Sequence, residues 1–372
     1  MGETLRTHSL YREKSPRILV LRAGAIGDTL MVTPLVRALR RTFPDAYLGF
    51  ICSPAAYGVL RYNPHLDQVI SVAHRHLPVW LSAEKRRIVR HFQSFQLDSV
   101  LALESHPDLT ELACRIGATR LITYDTACQG GNVEHVLPEP DWHSVEAHLR
   151  AGERLGVQPA GFDLEFHYPP ATDDALRERL AHYGIHEGDL VVGIHAGWGN
   201  RKQHPTKTRL RSWPAERFAQ VIRWLVEKLG ARVVLTGSRV DRPLTEFIAR
   251  SANVQVLNMA GQLSLVELAA LIRRLNLYVT VDSGAAHIAA ALATPLVTLW
   301  GPGIIKATAP LAGRGPVRIL YSPPPCAPCY GTLLLKLCQD NICMKQIGVA
   351  EVITTVEEML ASRNPDRKTS VR

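Results

Sequence analysis

Four short segments of the sequence combine small residues with charged ones in patterns that could do chemistry. In the first, Gly24-Ala-Ile-Gly27-Asp28 follows an apolar run and places one carboxylate after two glycines. Either Asp28 caps the next helix, for which aspartate is a favoured residue, or it is a general base at the mouth of a sheet. Spacing alone favours capping. The segment also lacks the G-x-G-x-x-G spacing of dinucleotide-binding proteins.

The second segment is strongly basic. Five lysines and arginines lie in the eleven residues from Arg201 to Arg211, just after Gly197-Trp198 and before a helix that we expect to begin at Pro214. A run of charge is usually a solvated face. Beside a helix N-terminus and a glycine it is better suited to hold phosphate. The candidate ligands of the donor molecule in this segment are Trp198, Arg201, Lys207, Arg209 and Arg211.

The third and fourth segments also follow apolar runs. Thr236-Gly237-Ser238 is a small-residue turn whose amides could meet a nucleotide, although alone it is a weak signal. Asp282 and Ser283 lead into a helix whose first turn is Gly and Ala, so that an anion could reach its N–H groups and its positive dipole end. Asp282 as a cap and His287 as a packed residue are the plainer alternatives. The candidate residues here are Thr236, Gly237, Ser238, Asp282, Ser283, Gly284, Ala285 and His287.

The cysteines suggest two roles. Cys326, Cys329, Cys338 and Cys343 resemble a ligand set, but the gap between the two pairs is shorter than in usual zinc sites. A structural metal and a loop of reduced thiols both remain open, and no catalytic metal is predicted. The other three cysteines are expected to be plain buried thiols. They are Cys52, Cys114 and Cys128.

Apolar runs and amphipathic stretches alternate along most of the chain, which predicts α/β structure with buried parallel sheets. At roughly 150 residues per domain, 372 residues make two domains. We predict a first Rossmann-like domain with its linker over residues 1–172, a second over 173–348, and a C-terminal helix and tail over 349–372. Ligands of such open sheets bind beyond the carboxyl ends of the strands, which is where the four segments fall.

The charge balance favours an anionic partner. The chain has 43 lysines and arginines against 34 acidic residues, a net charge of +9, and no nucleic-acid-binding motif. The anionic partners that remain as candidates are phosphorylated small molecules and an anionic lipid surface. The run Glu84 to His91 is either a solvated helix face or a patch for an acidic acceptor or membrane. Without a signal peptide or a membrane-spanning run, a cytoplasmic protein is expected.

Taken in order, these motifs resemble glycosyltransferase family 9, the bacterial lipopolysaccharide heptosyltransferases, from about Arg17 to Leu360. The likeness rests on RILVLRAGAIGD, HAGWGNRK, RLRSWPAERFAQV, VVLTGS, NMAGQLSLVELAALI and VDSGAAHIAAALATPLVTLWGP. The cysteine segment, with GVAEVI after it, is similar to a tail found in part of the family.

The resemblance implies a GT-B fold: two Rossmann-like doubly wound domains facing across a cleft, the acceptor side N-terminal. It implies inverting, metal-independent transfer of heptose from ADP-heptose to the lipopolysaccharide inner core, with no further cofactor. Asp28 matches the family's catalytic carboxylate, with Gly24 and Gly27 beside it, and Arg211 falls where many members have a phosphate-binding lysine. The other partner is a lipid-linked oligosaccharide acceptor, with peripheral association at the inner membrane surface. Residues 1–15 have no recognised counterpart.

Two alternatives remain. One is an enzyme of the same fold that uses another nucleotide sugar for a different surface glycan. The other is a nucleotide-binding protein that has lost turnover, which the joint presence of Asp28, Asp282 and the basic segment disfavours. A nicotinamide-dependent oxidoreductase is also disfavoured, since neither half has the required glycine fingerprint.

Overall fold

The structure is a computed structural model that describes residues 15–73, 76–198 and 210–362. The chain divides after His167 into two compact units. Each unit has its own parallel sheet and its own hydrophobic core. This confirms the predicted α/β fold with one parallel sheet in each half.

The first unit is built around β1, whose apolar residues lie in the middle of the sheet. In the described part of this unit, six strands pair side by side in the order β3-β2-β1-β4-β5-β6, and every pair is parallel. Val20 of β1, for example, lies beside Phe50 on one side and Leu101 on the other. The strands are β1 (Arg17–Arg22), β2 (Tyr47–Cys52), β3 (Gln68–Ser71), β4 (Leu97–Ala102), β5 (Ala118–Thr123) and β6 (Val133–His135).

Amphipathic helices cover this sheet and bury their apolar faces against it. Helical spacing of apolar residues from Thr29 to Phe43 predicts one continuous helix after the GAIGD turn, but the structure breaks it at Met31 and Val32. Pro34 explains the break, because proline is tolerated in the first turn of a helix and not in its interior. The helices are α1 (Ile26–Leu30), α2 (Thr33–Thr42), α3 (Tyr57–Leu60), α4 (Ala83–Phe95), α5 (Pro107–Ile116) and α6 (Ser144–Glu153).

The second unit repeats the same winding. In its described part, six parallel strands pair in the order β12-β11-β10-β7-β8-β9. Counted from the first strand of each unit, both orders are 3-2-1-4-5-6, which is the Rossmann order. The strands are β7 (Val191–His195), β8 (Arg232–Thr236), β9 (Leu257–Asn258), β10 (Leu277–Val281), β11 (Leu296–Trp300) and β12 (Val317–Tyr321).

Helices also cover the second sheet, and the last of them belongs to this unit's core. That helix, α15, buries Val352, Val356 and Met359 in the cluster that contains Trp213 and Phe218. The helices are α7 (Ala171–His182), α8 (Ala215–Leu229), α9 (Arg242–Ala252), α10 (Leu265–Arg274), α11 (Gly284–Ala291), α12 (Ile305–Thr308), α13 (Leu333–Leu337), α14 (Ile342–Lys345) and α15 (Val349–Ala361). No helix in the described ranges is long and apolar enough to cross a membrane.

One cysteine prediction is wrong. Cys52 is a buried thiol as expected, but Cys114 and Cys128 are joined in a disulfide. Cys114 is on α5 and Cys128 is in the loop after β5, so the fold brings together two residues that are 14 apart in sequence. Sequence context could not reveal this pair, because it depends on how that loop returns towards the helix.

Candidate active site

The loop after β1 lies where the order of strands reverses in the first sheet. Strands β2 and β4 flank β1 on its two sides, so their connections run in opposite directions, and ligands of open α/β sheets bind at such a point. Gly24 occupies the tightest position in this loop. A Cβ atom at Gly24 would lie 2.7 Å from both Cβ and Oδ2 of Asp28, so no larger residue fits without displacing the carboxylate.

Asp28 is the third residue of α1 and stays partly exposed. Its Oδ2 accepts a hydrogen bond from the amide of Ala25 at 2.9 Å, and its Oδ1 lies 3.5 Å from Nη2 of Arg22. The side chain is 35% exposed. The structure therefore supports capping of α1 and also leaves the carboxylate at the surface of the strand edge, where a substrate hydroxyl could reach it.

Sequence reasoning missed two residues of this cluster, Arg22 and Glu104. Arg22 ends β1 and Glu104 follows β4, so both stand at the carboxyl edge of neighbouring strands. Nη1 of Arg22 lies 3.6 Å from Oε2 of Glu104 and donates to the carbonyl of Leu103 at 2.7 Å. Burial lowers the pKa of Arg22, but Asp28, Glu104 and Tyr124 together raise it above its usual value, so the guanidinium stays charged. The sequence did contain a signal for Arg22, because it is a charged residue at the end of an apolar strand.

Two further polar groups stand close to Arg22. The hydroxyl of Tyr124, just after β5, and Nδ1 of the fully buried His148 are 2.8 Å apart. Burial lowers the pKa of His148 well below its usual range, and the charge of Arg22 acts in the same direction. His148 is therefore neutral at pH 7, and Arg22 and the two carboxylates carry the charge in this cluster.

In the second unit, Arg211 and Asp282 form an ion pair. Asp282 directly follows β10, which is next to β7 at the point where this sheet reverses its order. Nη1 of Arg211 lies 3.2 Å from Oδ2 of Asp282, and the two side chains are 12% and 9% exposed. The guanidinium carbon lies 5.1 Å from the ring centre of Trp198 and 4.6 Å from that of Tyr330. Both rings are within the range of cation–π attraction. The sequence predicted Asp282, Arg211 and Trp198 here and missed Tyr330.

Ser283 directly precedes α11, and the residues that begin this helix are small. Its hydroxyl lies 3.1 Å from that of Thr280, and its φ and ψ are extended, as expected for a residue just before a helix. Gly284 and Ala285 begin the helix, while His287 is buried one turn further on. The arrangement puts the N-terminal end of α11 beside the Arg211–Asp282 pair. A diphosphate could contact both the arginine and the peptide amides there.

The Thr236 to Ser238 turn is occupied by contacts within the protein. The Thr236 hydroxyl is fully buried and lies 2.7 Å from the hydroxyl of Tyr278 and 3.0 Å from Nδ1 of His195. The amide and hydroxyl of Ser238 both donate to Oδ2 of Asp241, at 2.9 and 2.6 Å. These donors hold the strand edge together, so a nucleotide that meets this turn would need the remaining amide, that of Gly237.

Comparisons with known proteins identify the family. The family model of glycosyltransferase family 9 (heptosyltransferase) matches residues 203–333. The chain is 26% identical over 288 residues to lipopolysaccharide heptosyltransferase 3 of Escherichia coli, covering 74% of this chain and 80% of that protein. It is 37% identical over 312 residues to lipooligosaccharide heptosyltransferase 2 of Haemophilus ducreyi, covering 80% and 86%. The chain belongs to glycosyltransferase family 9.

Solved structures show the same fold. The E. coli ADP-heptose LPS heptosyltransferase II superposes with a TM-score of 0.73 at 19% sequence identity, covering 93% of this chain and 99% of that one. Because the fold is shared along nearly the whole chain, the two Rossmann-like units are the family's architecture. The predictions of family, α/β fold class and glycosyltransferase activity are thereby confirmed.

Part of the family's basic segment falls outside the described residues. Arg201, Lys207 and Arg209 are outside the described residues, so the structure does not test their roles. Met1 to Lys14 is also outside them. Arg211, at the end of that segment, is described and contacts Asp282 as given above. Among the candidate cations of this segment, it is therefore the one whose surroundings are known.

The cysteine segment of this family 9 member supports Arg211 through packing. Cys329 and Leu335 form a small buried cluster with Leu210, and Tyr330 packs against it. Burial raises the pKa of the Cys343 thiol to about 11, so this thiol is neutral at pH 7. Within the described residues no three His, Cys, Asp or Glu side chains are arranged to hold a metal ion. What the segment visibly does is place Tyr330 against the arginine.

Proposed function

We propose that this chain transfers heptose from ADP-heptose to the inner core of lipopolysaccharide. The observation that carries the proposal is that each unit has, at the point where its strand order reverses, a group that this reaction needs. The first unit has the partly exposed carboxylate of Asp28, and the second has Arg211 beside the N-terminal end of α11. The heptosyltransferase names of the relatives support the same activity.

In the proposed reaction, a hydroxyl oxygen of the acceptor attacks the anomeric carbon of the heptose. The bond between that carbon and the phosphate oxygen breaks, and ADP leaves with the bonding electrons. Attack from the face opposite to ADP inverts the configuration at the anomeric carbon. Asp28 accepts the proton that the acceptor hydroxyl loses, which balances the step.

The departing ADP gains negative charge as the bond breaks. Arg211, with Lys207 or Arg209, is proposed to stabilise that charge together with the peptide amides of Ser283, Gly284 and Ala285. Divalent metal ions perform this role in other phosphate-transferring sites. We therefore propose that no metal or other cofactor is required. Asp282 and His287 would line the same side, and Trp198 would help to hold Arg211 in place.

Turnover on defined acceptors tests the function. Purified protein is mixed with ADP-heptose and truncated core acceptors, and the product is read by mass spectrometry. A gain of one heptose on one acceptor supports the proposal, and release of ADP without a glycosylated product contradicts it. UDP-glucose and ADP-glucose serve as matched alternative sugar donors. Faster transfer from either one than from ADP-heptose would make the chain an enzyme for a different glycan.

A further inference from the structure

Three large apolar side chains are exposed in the loop before α4. Trp80 is 64% exposed, Leu81 54% and Leu77 39%. Single exposed apolar residues are normal on protein surfaces, but three within five positions, one of them a tryptophan, form a patch. We call Leu77, Trp80 and Leu81 the Trp80 patch.

The loop that carries the patch is held firmly. Val79, in its middle, is buried, and its amide donates to Oε2 of Glu111 at 3.0 Å. Lys85 is buried beneath the loop, and its Nζ donates to the carbonyls of Leu77 at 2.6 Å and Asp108 at 2.9 Å. These contacts therefore fix the patch at the surface, while Val79 packs in the core of the first unit.

Arginines adjoin the patch on the helix that follows it. Arg86, Arg87 and Arg90 are exposed on α4, and Nη1 of Arg86 donates to the carbonyl of Trp80. Within the described part of the chain, no carboxylate lies at ion-pair distance from these three arginines; Glu111 is engaged with Arg115 at 2.7 Å. Their charge is therefore available to an anionic partner.

A cavity of about 610 Å³ opens among these arginines. Arg86, Arg90 and Arg115 line it, together with Val79, Val89 and Gln93. Its lining combines two valines with three arginines, of which Arg115 is paired with Glu111, and it adjoins the Trp80 patch through Val79. A lipid with a phosphate-bearing headgroup and an apolar chain could contact both the arginines and the apolar residues of this region.

We propose that the Trp80 patch and the arginines of α4 dock the first unit on a bilayer of anionic phospholipid. Tryptophan and leucine enter the headgroup region, where aromatic residues are favoured, and the arginines bind lipid phosphates. A solvated helix face, the plainer interpretation of Glu84 to His91, accounts for the arginines but not for the exposed tryptophan. The inference deepens the proposed function, on which it rests: a lipid-linked acceptor lies at such a surface.

Flotation with lipid vesicles tests the docking. The full chain is mixed with phosphatidylcholine vesicles, with and without phosphatidylglycerol, at low and high salt. We expect binding only with phosphatidylglycerol, and weaker binding at high salt. The triple variant Arg86→Gln, Arg87→Gln, Arg90→Gln should lower the partition coefficient by about 100-fold. Trp80→Ser with Leu81→Ser should also lower it by at least about tenfold.

Matched controls come from the second unit. Leu333, Leu334 and Leu337 are also exposed, by 72%, 53% and 71%, and form a second apolar cluster on α13, in a different unit from the arginines of α4. The pair Leu333→Ser and Leu337→Ser therefore removes exposed apolar surface without touching the Trp80 patch. Arg250→Gln removes an exposed cation from α9. Both control variants should float like the unchanged protein. Equal flotation of the patch variants, or no flotation of the unchanged protein, would overturn the proposal.

A second assay separates this inference from the proposed function. With a water-soluble, deacylated core acceptor, the patch variants should keep kcat and ADP affinity, whereas with an acceptor embedded in vesicles their turnover should fall. If the unchanged protein fails on both acceptors, the proposed function fails while flotation still judges the docking. If the variants lose turnover on the embedded acceptor but float normally, the patch binds the acceptor or a protein, and the membrane proposal is wrong.

Discussion

Nη1 of Arg211 lies 3.2 Å from Oδ2 of Asp282, so the arginine proposed to hold the diphosphate already contacts an anion. A bound diphosphate and Asp282 would thus face the same guanidinium. Two substitutions at this pair should have opposite effects on ADP, because one removes the attractive charge and the other removes a competing one.

Arg211→Gln should weaken ADP binding by roughly 10- to 100-fold, the range expected for a lost charged hydrogen bond. Asp282→Asn should leave ADP affinity unchanged or make it tighter. Titration calorimetry with ADP measures both, and Arg211→Lys is the control that keeps the charge. Normal ADP affinity in Arg211→Gln would transfer the phosphate role to Lys207 or Arg209. Equal weakening by both substitutions would mean that the pair matters only for the fold.

Asp28→Asn should remove the base without removing the donor site. We expect kcat to fall by about 10²–10⁴, with ADP affinity unchanged, because an amide cannot accept the hydroxyl proton. The carbonyl oxygen of the substituted side chain can still accept the hydrogen bond that the Ala25 amide gives to the carboxylate, so α1 should keep its start. Rapid-quench measurements of single turnovers report the chemical step directly. Unchanged turnover would reject Asp28 as the base.

Arg22 is predicted to act through Asp28 as a positioning residue. Its guanidinium lies between Asp28 and Glu104, at 3.5 and 3.6 Å, so it restrains the direction of the carboxylate. Arg22→Gln should lower kcat by roughly 10- to 100-fold with no change in ADP affinity, and Arg22→Lys should recover part of the loss.

The double variant of Arg22 and Asp28 decides between positioning and a structural role. If Arg22 acts only through Asp28, then Arg22→Gln should add little to the loss already caused by Asp28→Asn. Multiplied losses would show that Arg22 contributes independently, for instance by contacting the acceptor. The melting temperatures of the three variants show whether any loss reflects unfolding instead.

The sequence predicted the centre of each sheet better than its edges. Strands β1, β4, β7 and β10 each contain a run of apolar residues, since both of their faces are buried there. In contrast, the apolar runs that predict strands are absent or interrupted in β5, β6 and β12, so these three strands were not predicted. They lie at or next to a sheet edge, and their burial is partial, so their sequences mix polar and apolar residues. These segments form strands because a neighbouring strand is available to pair with them, and that depends on parts of the chain outside the segment.

The site was predicted in the same uneven way. Asp282 directly follows an apolar strand, and Asp28 lies in the glycine-containing turn and helix start that come after β1, so a local pattern indicates both. Glu104 and Tyr330 were missed because their importance comes from a neighbour that is distant in sequence, Arg22 and Arg211 respectively. Arg22 was missed although it ends the apolar strand that leads to Asp28. Tyr330 reaches Arg211 where the cysteine segment packs on Leu210 and the Tyr330 amide donates to the carbonyl of Pro302 at 3.0 Å. Local spacing contains no information on such contacts.

Removal of divalent ions should leave turnover unchanged within about twofold. The reason is that arginine, lysine and helix amides are proposed to stabilise the departing ADP, a role that Mg²⁺ has in other enzymes. Turnover is measured after dialysis against EDTA and again after addition of Mg²⁺ or Mn²⁺. A loss in EDTA that either ion restores would show that the reaction needs a metal.

His195 should make the stability of the second unit depend on pH. Burial lowers its pKa to about 4, with the charge of Asp241 acting in the opposite direction. In the unfolded chain its pKa is near 6.5. Between these values the unfolded chain binds more protons, so folding becomes less stable as the pH falls below about 6.5.

The substitution His195→Asn should reduce this dependence. An amide can still reach the Thr236 hydroxyl, which lies 3.0 Å from Nδ1 of His195, but it does not titrate. Between pH 6.5 and 5, the unchanged protein should lose about 1.5 kcal/mol more unfolding free energy than the variant. Urea unfolding at several pH values measures the difference, and the interval stays above the range in which most carboxylates protonate.

The exposed His186 gives the control His186→Asn, whose pH dependence should match the unchanged protein. Parallel curves for His195→Asn and the unchanged protein would mean that His195 is protonated in the folded state, and its neutral contact with Thr236 would then have to be abandoned.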